Sequence, residues 1–145
     1  MAELSNPFST GSGGSTFESK VQASFVVAML VGGQAPLIPD SKIRKIKLQG
    51  KFNGFDTDDL IVFTEDESGN ERKLLGQIKH EISFTDGSKT LGEVLSAAWS
   101  DFQRQHLFNK DKDKLALITG PLSKLDITSV RTLLVCFSCC QEKLQ

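Results

Sequence analysis

Asp58-Asp59-Leu60-Ile61-Val62-Phe63-Thr64, a polar gap, then Lys73-Leu74-Leu75-Gly76-Gln77-Ile78-Lys79-His80: this stretch decides the fold. The first segment is a β-branched and aromatic run entered through two acids, the pattern of a buried strand. The second is an apolar run with a lysine inside it. The residues between them are polar and contain Ser68-Gly69-Asn70, a turn signal, so the pair reads as a β-hairpin. A lysine within a core strand is expensive to bury without a partner, and hairpin geometry can supply one. Opposed residues of an antiparallel pair keep a constant sum of positions. A turn centred on Gly69 therefore sets Asp59 opposite Lys79 and Ile61 opposite Gln77. Gln77 and Lys79 share a face by the two-residue period, so Asp59, Gln77 and Lys79 are expected to converge on one side of the sheet. A one-residue slip would substitute Asp58 or break the cluster. His80 is expected to point away from Lys79.

Upstream, residues 1–14 form a Gly/Ser-rich leader, expected to be flexible. Ser15-Thr16-Phe17-Glu18 has the spacing of a capping box. From Phe17 to about Val31 the chain is apolar on almost every side (Val21, Phe25, Val26, Val27, Met29, Leu30), which predicts a buried helix ended by Gly32-Gly33. Two prolines between Ala35 and Asp40 predict a loop. Ile43 to Gln49 reads as a strand in which Ile46 and Leu48 alternate with Lys45 and Lys47. Those lysines are either a solvated strand face or phosphate contacts for DNA.

Downstream, Thr90 and Glu93 form a second capping box. It precedes a helix carrying Leu91, Val94, Leu95, Ala98, Trp99 and Phe102 to about His106, with Trp99 and Phe102 as core. Asn109 to Lys114 reads as a solvated loop and Leu115 to Thr119 as a buried strand. A last helix from about Ser123 carries Ile127, Val130, Leu133 and Leu134. The order helix, three strands, helix, strand, helix defines an α/β domain over 15–135, a small mixed sheet flanked by helices, with a tail at 136–145.

Composition bounds the function. The chain has 145 residues, 39% hydrophobic and 24% charged, with net charge −1. That is the makeup of one globular domain, able to bury about 70% of its unfolded surface. It excludes a disordered chain and a broadly basic coat for nucleic acid, but not a local DNA-binding groove. The longest strongly apolar stretch, Ala23 to Val31, is nine residues, too short to cross a bilayer as a helix. No basic-then-apolar segment opens the chain, so no signal peptide and no membrane partner are expected. Cys136, Cys139 and Cys140 crowd the last ten residues instead of forming a spaced disulfide framework. The compartment implied is reducing, hence cytoplasmic. A zinc site would need His80 or His106, neither at ligand spacing to the cysteines.

A carboxylate and an amide oxygen are hard ligands suited to Mg²⁺ (or Mn²⁺). A neighbouring ammonium can steady charge on a reacting phosphate. The expected cluster thus has the makings of metal-assisted phosphodiester hydrolysis.

Asp58-Asp59-Leu60-Ile61-Val62 and Gly76-Gln77-Ile78-Lys79-His80 follow the helix start Gly14-Ser15-Thr16-Phe17-Glu18 and precede the strand Lys114-Leu115-Ala116-Leu117-Ile118-Thr119-Gly120. Over roughly Gly13 to Leu134 this pattern resembles the PD-(D/E)xK nuclease superfamily. Within it, the nearer likeness is to the double-stranded-DNA endonuclease domain of CD-NTase-associated effectors. Related domains stand at the N-terminus of bacterial anti-phage proteins with STAND-type NTPase modules. The resemblance implies a restriction-endonuclease-like αβββαβ(α) core that cleaves double-stranded DNA. It places the metal-binding aspartate on Asp59, with Asp58 second, the (D/E) position on Gln77, the catalytic lysine on Lys79, and a first-helix glutamate that helps hold metal on Glu18. Gln77 departs from the commonest pattern, which removes a negative charge and weakens metal affinity. The resemblance also implies a continuation into further domains past Val135, so a truncated effector is expected, one that forms a homo-oligomer when active through regions missing here. Two alternatives stay open: a nuclease-like interaction or DNA-binding module without turnover, and a Mrr-like restriction nuclease acting on modified DNA.

Overall fold

A computed structural model of the protein describes residues 12–132. The elements are α1 (Ser12–Leu30), β1 (Gln34–Ala35), β2 (Ile38–Lys47), a 3-10 turn (Gly50–Asn53), β3 (Leu60–Asp66), β4 (Glu71–Lys79), α2 (Lys89–Gln103) and β5 (Lys114–Thr119). A third helical segment, α3, covers 124–132. The five strands form one sheet in the order β1-β2-β3-β4-β5. Pairing is antiparallel from β1 to β4, and β5 runs parallel to β4. A parallel neighbour needs a crossover, which α2 and its flanking loops supply. The chain is therefore a mixed α/β domain, as the pattern of elements predicts.

Strand alternation sorts side chains between two cores. Ile38, Ile43, Leu60, Val62, Leu74 and Ile78 face α1, which covers them with Phe25 and, less deeply, Phe17, Val21, Ala28 and Met29. On the other face Ile61 and Leu75 pack with Phe55 and Phe108, flanked by Phe63, Phe102, Leu107 and Leu115. Each fully buried Ile or Leu contributes about 1.5–3 kcal/mol relative to exposure.

Several expectations are corrected. Helix α1 begins at Ser12, which puts Ser15 and Glu18 inside it and not in a cap. It is also not buried all round. It lies on one side of the sheet, so the Phe17–Val21–Phe25–Ala28 stripe and Met29 are covered, while Val27, Leu30 and Val31 are exposed. The proline segment is not a loop. Ala35 pairs with Ile38 around Pro36-Leu37, with Leu37 at φ 67°, and β2 starts at Ile38 instead of Ile43. Proline at the first corner and a positive φ at the second favour such a tight reversal.

Helix α2 is capped by Ser88, whose hydroxyl accepts from the Leu91 N–H at 3.3 Å, and not by Thr90. Trp99 is 61% exposed, not core, because Val94 and Asp101 occupy the covered face. The segment before β5 is not merely solvated. Asp113 is buried, accepts from the Lys73 and Asn109 N–H groups at 2.8 Å each, and pairs with the Lys73 ammonium at 3.1 Å. Most of the leader, residues Leu133 and Leu134, and the three cysteines lie outside the described residues.

Candidate active site

The β3–β4 turn fixes the register that builds the site. Asp66 accepts from the N–H groups of Ser68 (3.0 Å) and Asn70 (2.9 Å), and its carbonyl accepts from Gly69 N–H at 3.0 Å. Gly69 takes φ 80°, a left-handed conformation that glycine adopts without steric cost. These contacts make a three-residue loop, a turn closed by a left-handed glycine. The Asn70 N–H, then the Asn70 side chain, hold the Asp66 carboxyl below its ordinary value of 3.8.

The resulting pairs run from Glu65–Glu71 to Leu60–Gly76. The hairpin is thus centred on Ser68, not Gly69, and Asp59 falls opposite Gln77 instead of Lys79. Moving the partner by two positions keeps the same face, because side chains alternate with period two. The expected convergence survives the register correction.

Asp59, Gln77 and Lys79 meet at the end of the hairpin away from its turn. The Asp59 Oδ2 accepts from the Gln77 Nε2 at 2.5 Å and from the Ile78 N–H at 2.6 Å, and lies 3.7 Å from the Lys79 Nζ. None of these contacts uses Oδ1. The Gln77 Oε1 accepts from the Asp58 N–H at 3.4 Å, so the amide is oriented at both ends. All three side chains line a cavity of about 220 Å³ together with Lys51, Asp56 and Asp58, and with Glu93, Val94 and Ala97 of α2.

A clamped loop carries Asp58 and Asp59. At one end, Gly50 N–H donates to the Asp58 carbonyl at 2.6 Å and Lys51 N–H to Asp58 Oδ1 at 2.9 Å. Lys51 Nζ also pairs with Asp58 Oδ2 at 3.5 Å. From α2, the buried Asp101 accepts from the N–H groups of Asp56 (2.9 Å) and Thr57 (2.6 Å). Arg104 ties Gly54 and Asp56 to the same end of α2, each at 2.7 Å.

Glu18 does not line the cavity. Its carboxylate accepts from Gln22 Nε2 at 2.9 Å, and that nitrogen also donates to the Asp59 carbonyl at 2.9 Å. The first-helix acid therefore reaches the site only through Gln22 and the Asp59 backbone. His80 lies on the α1 face, edge-on to Phe17 with ring centroids 5.2 Å apart, and so points away from Lys79 as expected. Lys45 and Lys47 share the cavity's face of the sheet, with their ammonium groups 5.4 and 5.7 Å from the Phe63 ring centre. Lys47 also donates to Asn53 Oδ1 at 2.7 Å.

Sequence reading missed Lys51, Glu93 and Asp101. Asp101 had a signal: it stands seven residues after Val94, which places an acid on the covered stripe of the helix. Lys51 and Glu93 had none, because only the folded loop and α2 bring them to the cavity.

The donor atoms fit a hard divalent cation in kind. Asp59 has a carboxylate oxygen outside the three contacts above, and Gln77 carries an amide oxygen beside it. The amide nitrogen, not its oxygen, faces Asp59, so ligation by both residues requires the amide to turn. Among the described residues no three acids, histidines or cysteines are grouped as a ready metal site. No described helix is long and apolar enough to cross a membrane.

No family model matches the chain, and no curated protein or solved structure is significantly similar to it. Fold and site together define a mixed α/β domain with an acid, a carboxamide and an ammonium in one cleft.

Proposed function

We propose that the chain is a metal-dependent endodeoxyribonuclease domain with a restriction-endonuclease-like core, acting on double-stranded DNA. The observation that carries this reading is the meeting of Asp59, Gln77 and Lys79 in one cavity at the ends of adjacent strands. Asp59 and Gln77 would hold Mg²⁺ or Mn²⁺, with Glu18 acting at one remove through Gln22. When bound, the cation supplies charge neutralisation to a phosphodiester. The cavity needs such a supply, since Asp56, Asp58, Asp59 and Glu93 outnumber Lys51 and Lys79 in its lining. Lys79 orients the attacking water and steadies negative charge on the phosphate oxygens. Lys45 and Lys47 extend a cationic track along the same face for the DNA backbone. On this reading the domain is the cytoplasmic effector part of an anti-phage protein, active as a homo-oligomer.

The test is plasmid cleavage by purified protein with Mg²⁺ or Mn²⁺, beside Lys79→Ala. Nicking or linearisation by the parent, reduced about 10²–10³-fold by Lys79→Ala, supports the reading. One residue favours a second reading, a nuclease-like module that binds DNA without turnover: Gln77 supplies a neutral amide where the commonest pattern has a carboxylate, which weakens metal affinity. DNA binding with no cleavage under either metal, in monomer or oligomer, would select it.

A further inference from the structure

The 3-10 turn between β2 and β3 carries Phe52, which is 87% exposed. A single apolar residue at the surface needs no explanation, but this one is held out by a braced support. Its turn is fixed by the Gly50–Asp58 and Lys51–Asp58 contacts described above. It is further fixed by Phe55 N–H donating to the Gly50 carbonyl at 3.2 Å and Gly54 N–H to the Lys51 carbonyl at 3.1 Å. Gln49 and Gly54, at φ 56° and 84°, reverse the chain on either side. The exposed ring therefore sits on a fixed base and not on a mobile tip.

Lysines lie near it, at the rim of a cavity whose own lining is mostly acidic. Lys51, the next residue, lines the cavity that holds Asp59, Gln77 and Lys79. Lys47 reaches the same turn through Asn53, and Lys45 lies beside it over Phe63. An aromatic side chain raised beside lysine ammonium groups, at the rim of the Asp59 cavity, suits insertion at a base step. Such wedges, entering from the minor groove, part stacked bases and kink the duplex toward the major groove.

We propose that Phe52 is a DNA-contacting wedge that enters a base step of duplex DNA beside the cleavage cavity, with Lys45, Lys47 and Lys51 on the flanking phosphates. This inference rests on the nuclease reading for its choice of DNA as partner, but not on turnover.

The experiment uses the full chain carrying Lys79→Ala, so that DNA is bound and not cut, and duplexes with 2-aminopurine at successive positions. Fluorescence polarisation reads binding, and 2-aminopurine emission reads unstacking. Emission is expected to rise at one or two positions on binding. Phe52→Ala is expected to abolish that rise and weaken binding about 5- to 100-fold, while Phe52→Leu keeps part of both. Circular dichroism melting of Phe52→Ala should match the parent, since the ring packs on little. Lys45→Gln should lower the slope of log K against log salt by about 0.9. Binding without any emission change, an unchanged rise with Phe52→Ala, or no DNA binding would each overturn the inference. If plasmid cleavage fails with every metal while the Phe52-dependent rise persists, only the catalytic reading falls. If cleavage occurs and Phe52→Ala alters neither emission nor affinity, only the wedge falls.

Discussion

Asp59 and Gln77 meet across the β3–β4 hairpin with the amide nitrogen, not the oxygen, 2.5 Å from the carboxylate. An amide nitrogen is the favourable partner for a carboxylate, because an amide oxygen in its place would repel it. A cation between the two reverses the preference. Gln77→Glu therefore separates the two states. Without metal, two carboxylates at this distance cannot both ionise cheaply, and the variant should lose about 1–3 kcal/mol at neutral pH. With Mg²⁺ the added charge should strengthen binding, so the metal-induced rise in melting temperature should exceed that of the parent. Equal rises in the two proteins would show that residue 77 does not face a cation site.

Asp101 holds the strand-entry loop from α2, accepting from two backbone N–H groups while itself buried. Asp101→Ala leaves both donors and the Arg104 guanidinium without this acceptor. The expected loss is about 3 kcal/mol in urea unfolding. Asp101→Asn retains one acceptor oxygen and should lose about half as much. A loss below about 1 kcal/mol for the alanine variant would mean that water replaces the carboxylate and that the clamp is not what places Asp58 and Asp59.

Much of this arrangement is legible in the sequence because the hairpin's constraints are local. The β-branched run from Leu60, the turn at Ser68-Gly69-Asn70 and the apolar alternation of β4 each follow short-range rules. The register error was confined to the turn centre. Its two-position size left Asp59, Gln77 and Lys79 on one face. What was not legible depends on which side of an element meets a neighbour. Trp99 and Asp101 lie two residues apart on α2, and hydrophobicity alone puts the tryptophan inside. The fold instead buries the acid, because two N–H groups of the Asp56–Thr57 loop need an acceptor there. Likewise the apolar wrap of α1 predicts burial on all sides, but a single sheet face covers only one stripe.

Gly50 and Gly92 respond oppositely to alanine. A Cβ at Gly50 would lie 2.6 Å from the Thr57 carbonyl oxygen and 3.0 Å from Ile61 Cδ1, so the loop carrying Asp58 must move. Gly50→Ala should cost about 1–3 kcal/mol and lower plasmid cleavage along with stability. At Gly92, within α2, a Cβ meets nothing within 4 Å. Gly92→Ala should stabilise by about 0.5–1 kcal/mol through helix propensity and leave cleavage unchanged. Thermal melts of the two variants beside the parent decide both outcomes.

Acid sensitivity should originate in part at the hairpin turn. The Asn70 N–H, the Asn70 side chain, the Ser68 N–H and the Arg72 charge all favour the ionised Asp66 and lower its pKa in the folded protein. A depressed carboxyl contributes stability that is fully present above its unfolded value. That stability is lost as pH falls through the folded value. Asp126 is lowered in the same direction by the Phe84 N–H and Ser123, so a parent titration alone would mix the two. Asp66→Asn isolates the turn. It keeps one acceptor oxygen for the Asn70 N–H but cannot ionise, so it should be less stable than the parent at neutral pH. The two proteins should begin to converge once pH falls below the ordinary carboxyl value of 3.8. Urea midpoints on both sides of that value are the measurement. A stability difference that stays constant down to about pH 3 would place the acid-sensitive group elsewhere in the chain.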